Sequence, residues 1–219
     1  VIQFFRKKRP FIIGFMYVFN ERDIIEELIQ HMHRMEVPLV VIDNGSDDGT
    51  PQMAEKSGAR VLTERRRGKG YVIQSMFQRV EADVYVMVDG DDTYPADRVR
   101  ALIDPVIKDE ADMVIGSRMS NLSRSQFNFL NRVGNVFFLQ LINLIFHTHL
   151  TDILSGYRAM NQRIVRGLPL FEKGFAIEAE LTMKSLERGY RLAEIPVNLK
   201  TRAEGSHSKI RILSDGMRI

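Results

Sequence analysis

Two carboxylates flank a single glycine at Asp89-Gly90-Asp91, directly behind the apolar run Val84–Val88. A pair of hard oxygen donors at a strand end can hold a divalent cation, and magnesium or manganese usually shares its shell with substrate phosphates. Gly90 lets the backbone pass close to such a ligand. The same residues also suit an acidic turn before a helix opened by Pro95, with Asp92 or Thr93 near its N-cap. A second polar stretch, Asp43-Asn44-Gly45-Ser46-Asp47-Asp48-Gly49-Thr50, follows the apolar run Leu39–Ile42. Its residue types favour turns, and a carboxylate there can accept from a base N–H or a ribose hydroxyl. Gly68-Lys69-Gly70, at the start of a helical pattern, offers a cation and backbone N–H groups to a phosphate. Neither the Walker A loop nor the G-x-G-x-x-G fingerprint has this spacing.

These groups need a scaffold, and hydrophobic periodicity supplies one. Phe11–Val18 reads as a strand, followed by a helix over Glu21–Met35 with Ile24, Ile25, Leu28, Ile29 and Met32 on one face. Leu39–Ile42 and Ala59–Leu62 are the next strands, separated by a helix with Thr50 as its cap and Pro51 at its first position. A helix over Gly70–Val80 leads to Val84–Val88, whose unbroken apolar run marks a buried parallel strand. Pro95 opens a helix reaching Lys108, and Met113–Ile115 is a fifth strand. This alternation predicts an α/β fold with a mostly parallel central sheet and helices on both faces. Ligands of such sheets bind beyond the carboxyl ends of the strands. Asn20-Glu21, Asp43–Asp48 and Asp89–Asp92 each sit at such an end. After residue 117 come a long aromatic-rich amphipathic segment, Phe127–Phe146, then Asp152 and the turn Leu154–Arg158. A helix over Ala176–Arg188, closed by Gly189, precedes a strand at Leu192–Val197 and a polar tail.

Composition narrows the classes further. The 219 residues suit one such domain, or one with a short appendage. With 44% hydrophobic and 27% charged residues, disorder and collagen-like repeats are excluded. Without cysteine there is no disulfide scaffold, thiolate zinc site, iron–sulfur cluster or cysteine nucleophile. A net charge of +3 is too small to indicate a nucleic-acid partner. The basic residues cluster at Arg6–Arg9, at Arg65–Arg67 with Lys69, and in the tail, which suits either solvated faces or loops around phosphates and anionic lipid heads. No apolar run is long enough to span a bilayer. Arg6–Arg9 follow the first apolar residues, so no signal peptide is expected, and an opening on Val1 points to a processed or shortened chain. His31 and His33, like His147 and His149, are spaced i,i+2 on predicted helices and read as surface or helix-end residues rather than a zinc site. Glu178 and Glu180, inside a predicted helix, read as salt-bridge partners, and the scattered methionines as core filling.

Taken together, these segments resemble glycosyltransferase family 2, and within it the polyprenyl-phosphate branch, the dolichol-phosphate mannose synthase-like enzymes. The resemblance runs from Phe11 to Ile219. Phe19-Asn20-Glu21 is similar to the end of the family's P-x-Y-N-E opening, with Tyr17 in the proline's place. Ile42 through Thr50 is similar to V-D-D-G-S-x-D-G-T, with Asn44 replacing the second aspartate. Asp89-Gly90-Asp91 falls on the metal-binding D-x-D, and Thr93 stands where relatives often carry glutamine. Gly116-Ser117-Arg118 matches G-S-R, Asp152–Arg158 matches D-x-x-S-G-[FY]-R, and Arg202–Lys209 matches the late R-x-x-G-S-x-S-K region.

The resemblance implies a GT-A fold over residues 11–200, preceded by a basic, interfacial segment at 1–10. Residues 120–150 would be an amphipathic acceptor and membrane-interface segment, and 201–219 a basic tail closing over the donor and leading to membrane helices absent from this chain. It implies transfer of a sugar, with inversion and with Mg2+ or Mn2+, from a UDP- or GDP-sugar to a dolichyl or undecaprenyl phosphate. Tyr17, Asn20, Glu21, Asp43, Lys69, Asp89, Gly90, Arg202 and Lys209 would bind the donor, and Asp89 and Asp91 the metal. Arg118, Arg132 and Ser155 would hold the acceptor phosphate, and Asp91, Arg118 and Asp152 would serve the reacting centre. A phosphate acceptor is already ionised, so the main demand is charge stabilisation on the departing diphosphate. Asp152 is thus either a base or the orienting partner of Arg158 or another cation. Phe127–Phe146 reads either as an interfacial helix shielding a polyprenyl chain or as a core helix. The expected location is the cytoplasmic face of a membrane, with no nucleic acid bound and an oligomer compatible with the sequence. Two other readings stay open: a soluble family 2 enzyme with a non-lipid acceptor, and a nucleotide-sugar-binding protein without catalysis.

Overall fold

Alternating side chains deal the apolar residues of each strand to two faces, and both faces are covered. The computed structural model describes residues 10–118 and 129–199, with side chains for all of these except 129–137. The strands are β1 (Ile12–Val18), β2 (Leu39–Asp43), β3 (Arg60–Thr63), β4 (Val84–Asp89), β5 (Met113–Ser117), β6 (Arg158–Asn161) and β7 (Leu192–Pro196). They form one seven-stranded sheet in the order β3-β2-β1-β4-β6-β5-β7. All pairings are parallel except those of β6, which runs antiparallel to β4 and β5. The sequence pattern marks the mostly parallel sheet but reads β6 as the end of a turn. Its four residues carry no apolar run, and its first, Arg158, is fully buried.

The helices are α1 (Arg22–Arg34), α2 (Thr50–Lys56), α3 (Lys69–Arg79), α4 (Val99–Ile107), α5 (Phe129–Phe146), α6 (Gln162–Gly167) and α7 (Ile177–Glu187). On one face Met16, Val18, Val86 and Val88 pack with Ile25, Leu28, Ile29 and Met32 of α1 and with Leu102 and Ile103 of α4. On the other, Phe15, Tyr85 and Met87 meet Val72, Ile73 and Met76 of α3 and Ile177 and Leu181 of α7. Period-two strands against helical stripes account for both layers. A third cluster joins Ile142, Leu150 and Ile153 to Phe138, Met183 and Leu186, so α5 leans on α7 through one stripe. Its other side leaves Leu144 72% and Ile145 58% exposed. Among the described residues no helix is long and apolar enough to cross a membrane.

Several local expectations are corrected. Thr50 is not the cap of α2: Gly49, at φ 90°, takes that place and Pro51 falls one position later. The Thr50 hydroxyl instead donates to Asp48 Oδ1 at 2.5 Å and accepts the Glu21 N–H at 2.9 Å. Pro95 opens a single 3-10 turn, Ala96–Arg98, before α4 begins, and Thr93 bonds back to Asp91 rather than capping a helix. His147 and His149 lie beyond the end of α5, with His147 at φ 52°. Gly189 does close α7 at φ 71°, as its sequence position implies.

Candidate active site

Strand register brings the polar strand ends side by side. Tyr17 of β1 is paired with Asp89 of β4, and Val18 with Asp43 of β2. The loops after β1, β2 and β3 are then stitched into one lip. Asp43 is buried, and its carboxylate accepts the N–H groups of Gly45 at 2.9 Å and Ser46 at 3.1 Å. Asn20, held at φ 55°, exchanges hydrogen bonds with Asp47. Asn44 donates to the carbonyls of Glu64 and Arg66, both at 2.8 Å, and accepts the Gly68 N–H at 2.9 Å. The sequence marks Asn44 only as a departure from the family pattern. An amide supplies donors and an acceptor together, which an aspartate carboxylate does not, so it can hold the 64–68 loop at three points at once.

The basic run after β3 is not a single patch. Arg66 pairs with Glu64 at 2.9 Å and lies over the Tyr71 ring, while Arg67 lies over Phe19, 4.6 Å from its centroid. Hydrogen bonding from Arg66, against the opposing effect of burial, holds the Glu64 carboxyl down to about 2.

Lys69 turns inward. Its side chain is 4% exposed, and Nζ pairs with Asp89 Oδ1 at 2.5 Å and with Glu178 Oε1 of α7. Burial alone would lower its pKa, but the charges of Asp89 and then Glu178 outweigh that and raise it. The flanking glycines are there for close approach rather than as a phosphate cradle. The Gly68 N–H goes to Asn44, the Gly70 N–H goes to the Lys173 carbonyl, and a Cβ on either glycine would strike the 172–173 backbone. Gly156 serves the same end, because a Cβ there would stand 2.9 Å from Lys69 Nζ. At Gly90 a Cβ would lie 2.8 Å from the Tyr17 carbonyl, which accepts the Gly90 N–H at 3.1 Å. Asp91 Oδ1 accepts the Thr93 hydroxyl at 2.6 Å.

On the β5 side, Arg118 meets Asp152 in a two-pronged pair, Nε to Oδ2 at 2.7 Å and Nη2 to Oδ1 at 2.9 Å. The Arg118 N–H adds a third bond to Oδ2 and the Leu154 N–H one to Oδ1. Burial pushes the Asp152 carboxyl up, yet the Arg118 hydrogen bonds and charge dominate and its pKa is lowered. Glu194 of β7, absent from any sequence motif, accepts the N–H groups of Thr151 and Asp152 at 2.8 and 2.9 Å and fixes this turn. Ser155 is fully buried and donates to the Gly116 carbonyl at 2.6 Å. Arg158, also fully buried, donates to the carbonyls of Ser155 and Ile153 and to the Thr182 hydroxyl. Asp152 therefore orients Arg118 rather than Arg158. The Arg132 side chain, Arg202 and Lys209 lie outside the described residues, as do Arg6–Arg9 and the beginning of the Phe127–Phe146 segment.

Asp89 and Asp91 suit a hard divalent cation, because they offer oxygen alone and stand at the open strand edge. Among the described residues no group of three or more His, Cys, Asp or Glu could hold a metal unaided. The shell would need substrate oxygens, which is how magnesium usually binds. A third carboxylate, Glu178, lies behind the pair with Oε2 buried and without a hydrogen-bond partner among the described residues. This donor set fits an ion shared with a phosphate ligand.

The mixed sheet, with a carboxylate pair where β4 ends, defines a GT-A fold, the class of nucleotide-diphospho-sugar transferases. The chain belongs to Glycosyl transferase family 2, whose family profile matches residues 15–168. It is 33% identical over 201 residues to Glycosyltransferase AglJ of Haloferax volcanii, covering 90% of this chain and 66% of that protein. It is 31% identical over 191 residues to the Dolichyl-phosphate hexose transferase of the same organism, covering 86% and 82%. In structure it is similar to glucosyl-3-phosphoglycerate synthase from Mycobacterium tuberculosis in complex with Mn2+, UDP-glucose and phosphoglyceric acid, with a TM-score of 0.74 at 23% identity over 90% of this chain and 73% of that one.

Proposed function

We propose that this glycosyltransferase moves a sugar, with inversion, from a UDP- or GDP-sugar to a polyprenyl phosphate at the cytoplasmic surface of a membrane. The observation that carries this reading is Arg118, a half-buried guanidinium locked by buried Asp152 on the sheet edge that also holds Asp89 and Asp91. Asp152 takes the Nε and Nη2 prongs and fixes the group, and the guanidinium N–H groups beyond that fork suit a phosphate oxygen. The lipid part of the reading draws support from the name of the dolichyl-phosphate relative and from the uncovered Leu144 and Ile145. Tyr17, Asn20, Glu21 and Asp43 line the nucleoside side, with Arg202 and Lys209 closing on the diphosphate. Asp89 and Asp91 would hold Mg2+ or Mn2+, which would stabilise the negative charge of the leaving nucleoside diphosphate.

The acceptor phosphate is already ionised, so no strong base is required. Asp152 is a positioning residue in this scheme: its lone pairs are taken by Arg118 and Leu154, and its lowered pKa makes it a poor proton acceptor. Arg118 presents the nucleophilic oxygen, with Arg132 as its partner on α5. Incubation with UDP- and GDP-sugars, Mn2+ and dolichyl or undecaprenyl phosphate should yield a lipid-linked sugar and free nucleotide diphosphate. Turnover only with a water-soluble phosphate acceptor would replace the lipid by that acceptor. Absence of nucleotide release from every donor would overturn the reading.

A further inference from the structure

The Lys69 ammonium sits between two carboxylates with different tasks. Asp89 belongs to the strand edge and keeps a side chain 24% exposed, whereas Glu178 is 3% exposed and belongs to α7 behind it. Asp89 Oδ1 takes no hydrogen bond beyond this ion pair, and Glu178 Oε2 takes none at all among the described residues. One ammonium is shared by two carboxylates, and the buried one, Glu178, is costly to keep charged unless it is used. Fully buried Arg158 has its donors committed to Ser155, Ile153 and Thr182, so it neutralises Glu178 only through space. If Lys69 existed only to balance Asp89, Glu178 would be an expense with no return.

We infer that Glu178 is the second berth of Lys69: when a divalent cation comes to Asp89, the ammonium shifts onto Glu178 and frees Asp89 Oδ1. This rests on the reading of Asp89 as a metal ligand. The free Glu178 Oε2 supplies the acceptor that the shifted ammonium needs. Lysine is suited to the move because its charge is compact and its stem flexible. Gly156 leaves the space beside Nζ open, while Gly68 and Gly70 clamp the start of α3 against residues 172–173, so the motion is confined to the side chain. Glu178 is thus a positioning residue, acting on the metal through Lys69.

The test is Mn2+ binding read by the electron paramagnetic resonance of free Mn2+, in the presence of saturating UDP. Glu178→Gln keeps the size but loses the charge, so Lys69 stays on Asp89 and the Mn2+ Kd should rise about tenfold, as for other supporting residues of metal sites. A folded Glu178→Gln protein with a Kd within twofold of the parent overturns the inference, since a merely structural role would lower only the Tm. A second readout uses the unaltered protein, in which a buried ammonium exchanges slowly enough to be seen by 15N NMR. Saturation with Mg2+ and UDP should move the Lys69 signal, and an unmoved signal overturns the inference even if the variant does not fold. Asp89→Asn is the control: if it binds Mn2+ like the parent, the metal reading itself has failed.

Discussion

The two ends of the sheet carry ion networks of opposite character. At the N-terminal ends of β5 and β7, Asp112 accepts from Arg191, Asn161 and Arg163 at 2.6–3.2 Å, with Asp109 joining from the surface. Every partner is close, and the arginines are about half in solvent. At the opposite end, Lys69 and Glu178 are almost wholly buried, and one carboxylate oxygen has no hydrogen-bond partner among the described residues. The first network pins β5, β6 and β7 together. The second keeps charge out of water without fully satisfying it, an arrangement that stability alone does not explain. Incomplete satisfaction in a dry place, more than charge itself, separates the functional edge from the structural one.

The sharpest way to break this contrast is a matched pair of amides. Asp89→Asn should cut kcat about 10²–10³-fold, the scale seen when a stabiliser of developing charge is lost. Asp112→Asn should leave kcat unchanged and cost about 1.5–3 kcal/mol of stability, the worth of hydrogen bonds to a charged group. Assay and thermal unfolding of both proteins check this, and equal effects on kcat would erase the distinction. Arg118→Ala comes next, because it strands Asp152, only 5% exposed, without its partner. Leaving such a charge unpaired costs about 3–5 kcal/mol. If Arg118 also holds the acceptor, its loss should raise KM for the phosphate acceptor more than KM for the donor. Equal changes in both would make it purely structural.

Much of this was legible beforehand, and what was not has a physical cause. The alternating strands and helices, the strand-end clusters and Asp89-Gly90-Asp91 all follow from periodicity and residue type. The inward turn of Lys69 is not legible, because a cation between two glycines looks the same whether it faces a phosphate or the interior. The deciding groups, Asp89, Glu178 and the 172–173 backbone, lie up to 109 positions from Lys69 along the chain. Glu194 carries no motif signal and Asn44 only a departure from one, since their value lies in N–H groups and carbonyls that only the tertiary fold brings to them. The β6 strand is not legible because only Ala159 and Met160 of its four residues are apolar, and its third buried residue is Arg158, which no hydrophobic pattern marks.

Acidity separates the two networks more gently. Burial pushes Asp112 upward, but hydrogen bonds from Arg191 and Asn161 prevail and its pKa is lowered. A carboxyl depressed in the folded state contributes stability above its unfolded pKa and loses it as pH falls through the folded value. Asp112→Asn should therefore flatten the acid limb of a Tm–pH curve below about pH 4, within the ordinary carboxylate range. Glu64 supplies the smallest and most discriminating case. It lies on the functional lip, where Asn44 holds its carbonyl, yet its carboxylate is saturated by Arg66. Its contribution is complete above its ordinary 4.5 and disappears as pH falls toward about 2. Arg66→Ala should return the Glu64 titration, followed by NMR of its carboxyl carbon, toward 4.5 and lower the neutral-pH Tm, with little change in UDP affinity. If UDP affinity falls severalfold instead, a saturated ion pair is working in the site, and satisfaction no longer tells scaffold from function.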